Sequence, residues 1–338
     1  MGRELTGSDD AVEPISTAPP SFSVQARGFG DTETATQLAT LVGEIVRTLG
    51  RYIELQTLDG VTVAFDYDQA LLELDRGYES SHQLQASKSH VIGVAMTPSV
   101  IREGELKSHI FVRAPVLLPL LDNADEEGIR TAIHVLAHEC GHVEVTKQFD
   151  RCFPNVILKR QLTLLDTFRW ATIFAVWDEY AVTWISATFG ADQTDGYNQT
   201  LLADLQTLDD RNNELIRAYR IHGNVDQILA EIYRSCGNLL KFGGYCIGNL
   251  RGKEIHWRER DDLTAVLVGH WFEPFFQRLS EVCSGLADSY GKWTDMDTFL
   301  SISEILDELV CRAGLNVTLQ SDGSAYVDIP FAIQTMPE

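Results

Sequence analysis

Apolar positions along the chain change period twice. After Asp31 they recur at Leu38, Leu41, Ile45 and Leu49, the spacing of one helical face. Asp31 or Thr32 is placed to cap that helix and Gly50 to end it. Tyr52 to Leu58 and Val61 to Phe65 then read as strands on either side of Asp59-Gly60, a hairpin-turn dipeptide. Tyr67 to Leu74 reads as a short helix. His90 to Met96 and His109 to Val112 are further extended segments, with Pro98 and Gly104 in the connection. A long helical pattern follows from about Ala124 to Lys147. Ile129, Ile133 and Leu136 form its apolar face, and Glu126 and Glu127 suit the positive end of its dipole.

Beyond a break at Pro154 the helical period returns almost to the end of the chain. It predicts helices near 157–189, 195–220, 224–241, 261–287 and 295–313. Leu315 to Gln320 and Tyr326 to Ile329 flank Ser321-Asp322-Gly323-Ser324 as a closing hairpin. Residues 1–30 are polar and broken by Pro14, Pro19 and Pro20, and read as a disordered tail. The order of elements is that of an α+β fold and not of an alternating parallel-sheet fold. A small, mostly antiparallel N-terminal sheet packs on a motif-bearing helix, and a mainly helical half follows. The expected organisation is a tail over 1–30, a metal-bearing core over 31–190 and a helical subdomain with a terminal β-hairpin over 191–338.

Charge narrows the possible partners. With 49 acidic and 27 basic residues the net charge is -22, and such a surface repels phosphate backbones. No nucleic-acid partner is expected. No apolar run approaches a membrane span, and no signal-peptide core precedes the fold, so no membrane partner is expected either. Six cysteines lie scattered without CxxC pairing and read as free thiols in a cytoplasmic protein.

The chemistry concentrates in His134-Val135-Leu136-Ala137-His138-Glu139-Cys140-Gly141-His142, which contains HExxH. Residues i and i+4 share a helical face, so two imidazoles there can hold one zinc ion. A glutamate beside the first histidine can take the proton as water attacks a carbonyl that the metal polarises. From the 9 histidines and 49 acidic residues, chance supplies roughly 0.03 such matches per chain. His134 shares the face, but it stands roughly 12 Å along the axis from His142 and reads as a supporting or core residue. Cys140 points to another side of the helix and reads as packing.

A catalytic zinc needs a third protein ligand and an open fourth position. Glu179 is the leading candidate. With Asp178 it interrupts a helix rich in large apolar residues (Trp170, Ile173, Phe174, Val176, Trp177), where a carboxylate is costly to bury unless a cation compensates. Asp178 could instead orient a ligating histidine, and Glu144 and Asp166 are weaker alternatives. For an oxyanion-stabilising group, His222, Tyr233 and His256 are candidates that no spacing separates. Trp271, Phe272, Phe275 and Phe276 read as packing.

His138-Glu139-Cys140-Gly141-His142, followed by Glu179-Tyr180-Ala181, resembles the gluzincin branch of zincin metallopeptidases. It is most similar to small bacterial zincins of the ImmA/IrrE type, over roughly residues 50–190. The resemblance implies zinc held by His138, His142 and Glu179, with Glu139 as catalytic base. It also implies an edge strand, Val91 to Met96, that pairs with extended substrate over an inner strand, His109 to Val112. The expected function is a peptidase acting on a protein or peptide, of unspecified oligomeric state. The alternative is a catalytically weak or inactive zincin-fold protein that regulates or binds a partner through its helical half.

Overall fold

The structure is a computed structural model and describes residues 14–80, 83–85, 93–159, 161–320 and 324–337. It is an α+β protein that divides into two compact units, the first ending at Glu144 and the second beginning at Val145. The division falls inside one helix and not near residue 190.

In the first unit, α1 (Thr32–Leu49) starts where expected: the Asp31 carboxylate accepts from the Glu33 and Thr34 amides at 3.3 and 2.8 Å. The expected tail needs correction. Over its described part it contains a strand, β1 (Ser23–Arg27), and the Thr17 hydroxyl donates to the carbonyls of Gly50 and Ile53. Polar composition permits this because an edge strand is stabilised by main-chain pairing and need bury only one face. Residues 1–13 lie outside the described part of the chain.

The hairpin expected at Asp59-Gly60 is also absent. Residues 58–64 form one strand, β2 (Leu58–Ala64), which passes straight through that dipeptide. Its neighbours decide this. β2 pairs in parallel with β1 on one side and with β5 (Glu105–Arg113) on the other. Gly60 is needed for closeness rather than for a turn: a Cβ there would sit 3.0 Å from the Ser23 carbonyl and 3.1 Å from the His109 ring. α2 (Tyr67–Leu72) follows, capped by Asp66.

The outer side of β5 carries β3 (Ala95–Met96) and β4 (Ser99–Arg102), both antiparallel. The sheet is therefore mixed, and not mostly antiparallel. Met96 opposes Phe111 and Ser99 opposes Ser108 in one constant register. β3 and β4 are thus a single strand interrupted at Thr97-Pro98, where proline lacks an amide to donate. Glu103 and Gly104, both at positive φ, make the two-residue turn into β5. His109 to Val112 lies in β5 as expected. Of the expected edge segment, Val91 to Met96, Ala95 and Met96 are strand, and residues 91 and 92 lie outside the described residues.

α3 (Ala114–Leu117) leads into α4 (Glu126–Cys152), the long motif helix. It runs from the first unit into the second. The second unit continues with α5 (Val156–Lys159), α6 (Leu164–Ser186), α7 (Thr194–His222), α8 (Val225–Gly252), α9 (Asp261–Leu267), α10 (Glu273–Asp288) and α11 (Leu300–Arg312). It closes with β6 (Asn316–Leu319) and β7 (Ala325–Asp328), an antiparallel pair. The expected helix over 157–189 is two helices, because Thr163 caps a fresh start by accepting from the Asp166 amide. The one expected over 261–287 breaks at Gly269, where φ is 77°. The one expected over 224–241 runs on to Gly252, because its glycines let it lie directly on α6. A Cβ at Gly244 would stand 2.8 Å from the Val176 carbonyl, and Cβ atoms at Gly248 and Gly252 would overlap the carbonyls of Tyr180 and Trp184.

Candidate metal centre

His138 and His142 lie one turn apart on α4, with ring centroids 5.0 Å apart and nearly perpendicular planes. The local sequence produces this, since the i, i+4 spacing stacks two side chains on one helical face. His134 continues the row one turn earlier, its ring centroid 6.2 Å from that of His138, and is almost wholly buried. Cys140 is fully buried, and burial, with Glu139 nearby, pushes its thiol well up, so it stays protonated and packs.

One nitrogen of His138, one of His142 and one carboxylate oxygen of Glu179 lie within 4.8 Å of one another. All three residues are half-buried. Among the described residues this is the set of metal-binding side chains whose donors converge, and Asp178, Glu144 and Asp166 are not members of it. Two of the three are engaged elsewhere. The Glu144 carboxylate accepts from the Glu54 amide at 2.7 Å. Asp166 accepts from the Thr163 hydroxyl at 2.8 Å in the first turn of α6, roughly 20 Å along the axis from Glu179.

Glu179 sits on α6 among Val176, Trp177, Tyr180 and Thr183, all buried. The glycines of α8 meet α6 at Val176, Tyr180 and Trp184. The segment carrying Glu179 is therefore set by backbone packing on both sides of it.

The donors fit zinc. Two imidazoles and one carboxylate are the ligand set of an open catalytic site, with one coordination position left for water or substrate. A Ca²⁺ or Mg²⁺ site would be built almost wholly of oxygens.

Glu139 is 5% exposed. Its Oε2 accepts a 2.7 Å hydrogen bond from the Thr97 hydroxyl, which also lies 3.3 Å from the Glu139 main-chain oxygen. The sequence offers no signal for Thr97, which stands 42 residues from Glu139 in an unremarkable extended stretch. Tyr67 is a second residue that the sequence reading passed over. It is fully buried, and its hydroxyl has no hydrogen-bond partner among the described residues. Burial first, and the charge of Glu139 second, push that hydroxyl up and keep it protonated.

The other sequence candidates are employed structurally. The Tyr233 hydroxyl donates to Asp307 at 2.7 Å, beside Arg169. His222 accepts from the Asn224 amide just past α7, and His256 accepts from the Arg258 amide. Phe272 and Phe276 are fully buried in the helical core, and Trp271 carries the Arg312 guanidinium over its ring.

Comparison with protein families, with curated proteins and with solved structures finds no match. The functional reading therefore rests on the residues.

Proposed function

We propose that the chain is a zinc-dependent peptidase with His138, His142 and Glu179 as metal ligands and Glu139 as general base. The observation that carries this is the convergence of two imidazole nitrogens and one carboxylate oxygen within 4.8 Å, directly beside a buried glutamate. A purely structural site has no use for that glutamate. A zinc ion held there supplies Lewis acidity toward a scissile carbonyl. Glu139 takes the proton from the attacking water and hands it to the departing amine. Thr97 holds one of its two carboxylate oxygens, which leaves the other for the proton.

Extended substrate has a place to pair. Arg113 donates its amide to Val94 and His109 donates its amide to Pro98. By the alternation of an antiparallel ladder, Ala95 and Thr97 then turn their own main-chain groups away from β5. A peptide laid along that edge gains main-chain hydrogen bonds with little demand on sequence. The six cysteines form no disulfide, which suits a reducing cytoplasm. No described helix is long and apolar enough to cross a membrane.

The test begins with elemental analysis. Freshly purified protein should carry one zinc per chain, lost in His138→Ala and in His142→Ala. Glu139→Gln should keep the zinc and lose about 10²–10⁴-fold in turnover of a pool of internally quenched peptides, because an amide cannot take the proton. Wild-type protein without divalent metal, or equal turnover by Glu139→Gln, defeats the reading. Zinc without turnover in the wild type would favour a regulatory zincin-like protein instead.

A further inference from the structure

We propose that Thr97 is a positioning residue that fixes the Glu139 carboxylate and ties the outer strand of the sheet to it; this rests on the peptidase reading above. Buried carboxylates need donors. Among the described residues the Thr97 hydroxyl is the one hydrogen-bond donor to the Glu139 side chain, at 2.7 Å from Oε2.

The hydroxyl is held in place from three directions. Thr97 is β-branched, which restricts its rotamers. It precedes Pro98, which keeps its backbone extended. It also sits in a register that is unbroken from Ala95 opposite Val112 to Arg102 opposite Glu105.

Strand alternation settles which way it faces. Met96 turns to the cluster of Tyr67, Leu71 and Phe111, and Val100 is fully buried. Thr97, between them, turns to the opposite face and meets Glu139. Its main chain meanwhile points to the outer edge, where substrate would pair. One residue thus touches both the base and the proposed peptide track. A strand that shifts when a peptide pairs with it would shift the base as well. With Oε2 anchored, only Oε1 is left to swing toward the reacting water. That is the pre-orientation a general base needs, because misplacement of about 1 Å can cost on the order of 100-fold in rate.

The experiment compares Thr97→Val, which keeps the shape and removes the hydroxyl, with Thr97→Ser, which keeps the hydroxyl. Each full-length variant is loaded with zinc and its metal content measured. kcat and KM are then read on one internally quenched peptide that the wild type cleaves. Thr97→Val should keep one zinc per chain, lose about 10- to 100-fold in kcat, and hold KM within about threefold. Thr97→Ser should return to within about threefold of wild type. A second arm needs no turnover: acetohydroxamate binding to the zinc-loaded proteins, measured by calorimetry. Its acidic proton requires a correctly placed Glu139, so binding should weaken about tenfold in Thr97→Val, recover in Thr97→Ser, and be insensitive to Thr97→Val in a Glu139→Gln background.

Wild-type kcat and wild-type hydroxamate binding in Thr97→Val overturn the role of Thr97 and leave the peptidase reading standing. A Ser variant as impaired as the Val variant also overturns it, since shape and not the hydroxyl would then matter. A wild type that cleaves no peptide, yet binds hydroxamate in a Thr97-dependent way, overturns the peptidase reading and keeps Thr97 on Glu139. A wild type that does neither overturns both.

Discussion

The first unit and the second unit hold their important side chains by different physical means. In the first, the sheet is laced by directional polar contacts. The Asp59 carboxylate is forked onto Arg102 at 3.0 and 3.2 Å and meets His109 Nδ1 at 2.8 Å, while His109 Nε2 meets the Thr62 hydroxyl at 2.9 Å. Thr97 on Glu139 belongs to the same style of construction. In the second, α6 is positioned by backbone contact, with the glycines of α8 against its carbonyls and a continuous apolar core around them. The lesson is one of sensitivity. A polar lattice responds to protons and to loss of a single partner, whereas a glycine contact responds to the addition of a single methyl group. Glu139 and Thr97 lie in the first style and Glu179 in the second, so they should respond to different substitutions.

The largest expected effect concerns Glu179, the proposed ligand on α6. Glu179→Ala should weaken zinc binding by more than the 10–100-fold typical of groups that only support a ligand, with the α4 histidines still in place. Glu179→Gln should weaken it less, since an amide oxygen can still coordinate. Competition with a chromophoric chelator measures both. Unchanged affinity in Glu179→Ala would remove α6 from the site and send attention to Asp178.

A smaller effect tests the packing of α6. Gly248→Ala forces a Cβ into the Tyr180 carbonyl. It should destabilise the second unit by about 3 kcal/mol, the upper part of the usual range for overpacking. Gly285→Ala is the contrast. Gly285 lies within α10 with nothing within 4 Å of an added Cβ, so alanine should stabilise by about 0.5–1 kcal/mol through helix propensity. Urea unfolding reads both, and similar midpoints for the two variants would show that the glycines of α8 are not there for closeness.

The smallest effect is a pH dependence peculiar to the first unit. Burial holds the His109 imidazole below its ordinary value, against the opposing pull of Asp59. The folded state therefore binds a proton less readily than the unfolded chain does. Stability attributable to His109 is fully present above about pH 6.5, the unperturbed value, and is lost as pH falls below it. The drop in urea midpoint between pH 7.5 and 5.5 should be smaller in His109→Gln than in the wild type. An equal drop in both proteins would show that His109 does not set this dependence.

Much of the molecule was legible in one dimension, for identifiable reasons. The α+β class, α1 with its Asp31 cap, the motif helix and the terminal β-pair all follow from local periodicity and caps. Glu179 stood out because a carboxylate in an apolar helix demands a reason. Where local signals competed with long-range pairing they misled. Asp59-Gly60 has the chemistry of a turn, yet parallel neighbours on both sides of β2 make it strand. Glu103-Gly104, which does turn, lies in a connection marked in the sequence only by Pro98 and Gly104. The strand β1 was hidden in a segment whose polarity and prolines read as disorder.

What the sequence determined by itself is the geometry that a single helix dictates. His138 and His142 share one helical face because 3.6 residues make a turn, and no other part of the chain is needed to say so. What only the tertiary structure decided is everything that depends on segments far apart in sequence. That includes the parallel order β1-β2-β5, the α8 glycines that set α6, and the meeting of Thr97 with Glu139 across 42 residues. Such contacts form because a strand must find a ladder, a helix a face and a buried carboxylate a donor. A one-dimensional pattern records those needs without recording which partner meets them.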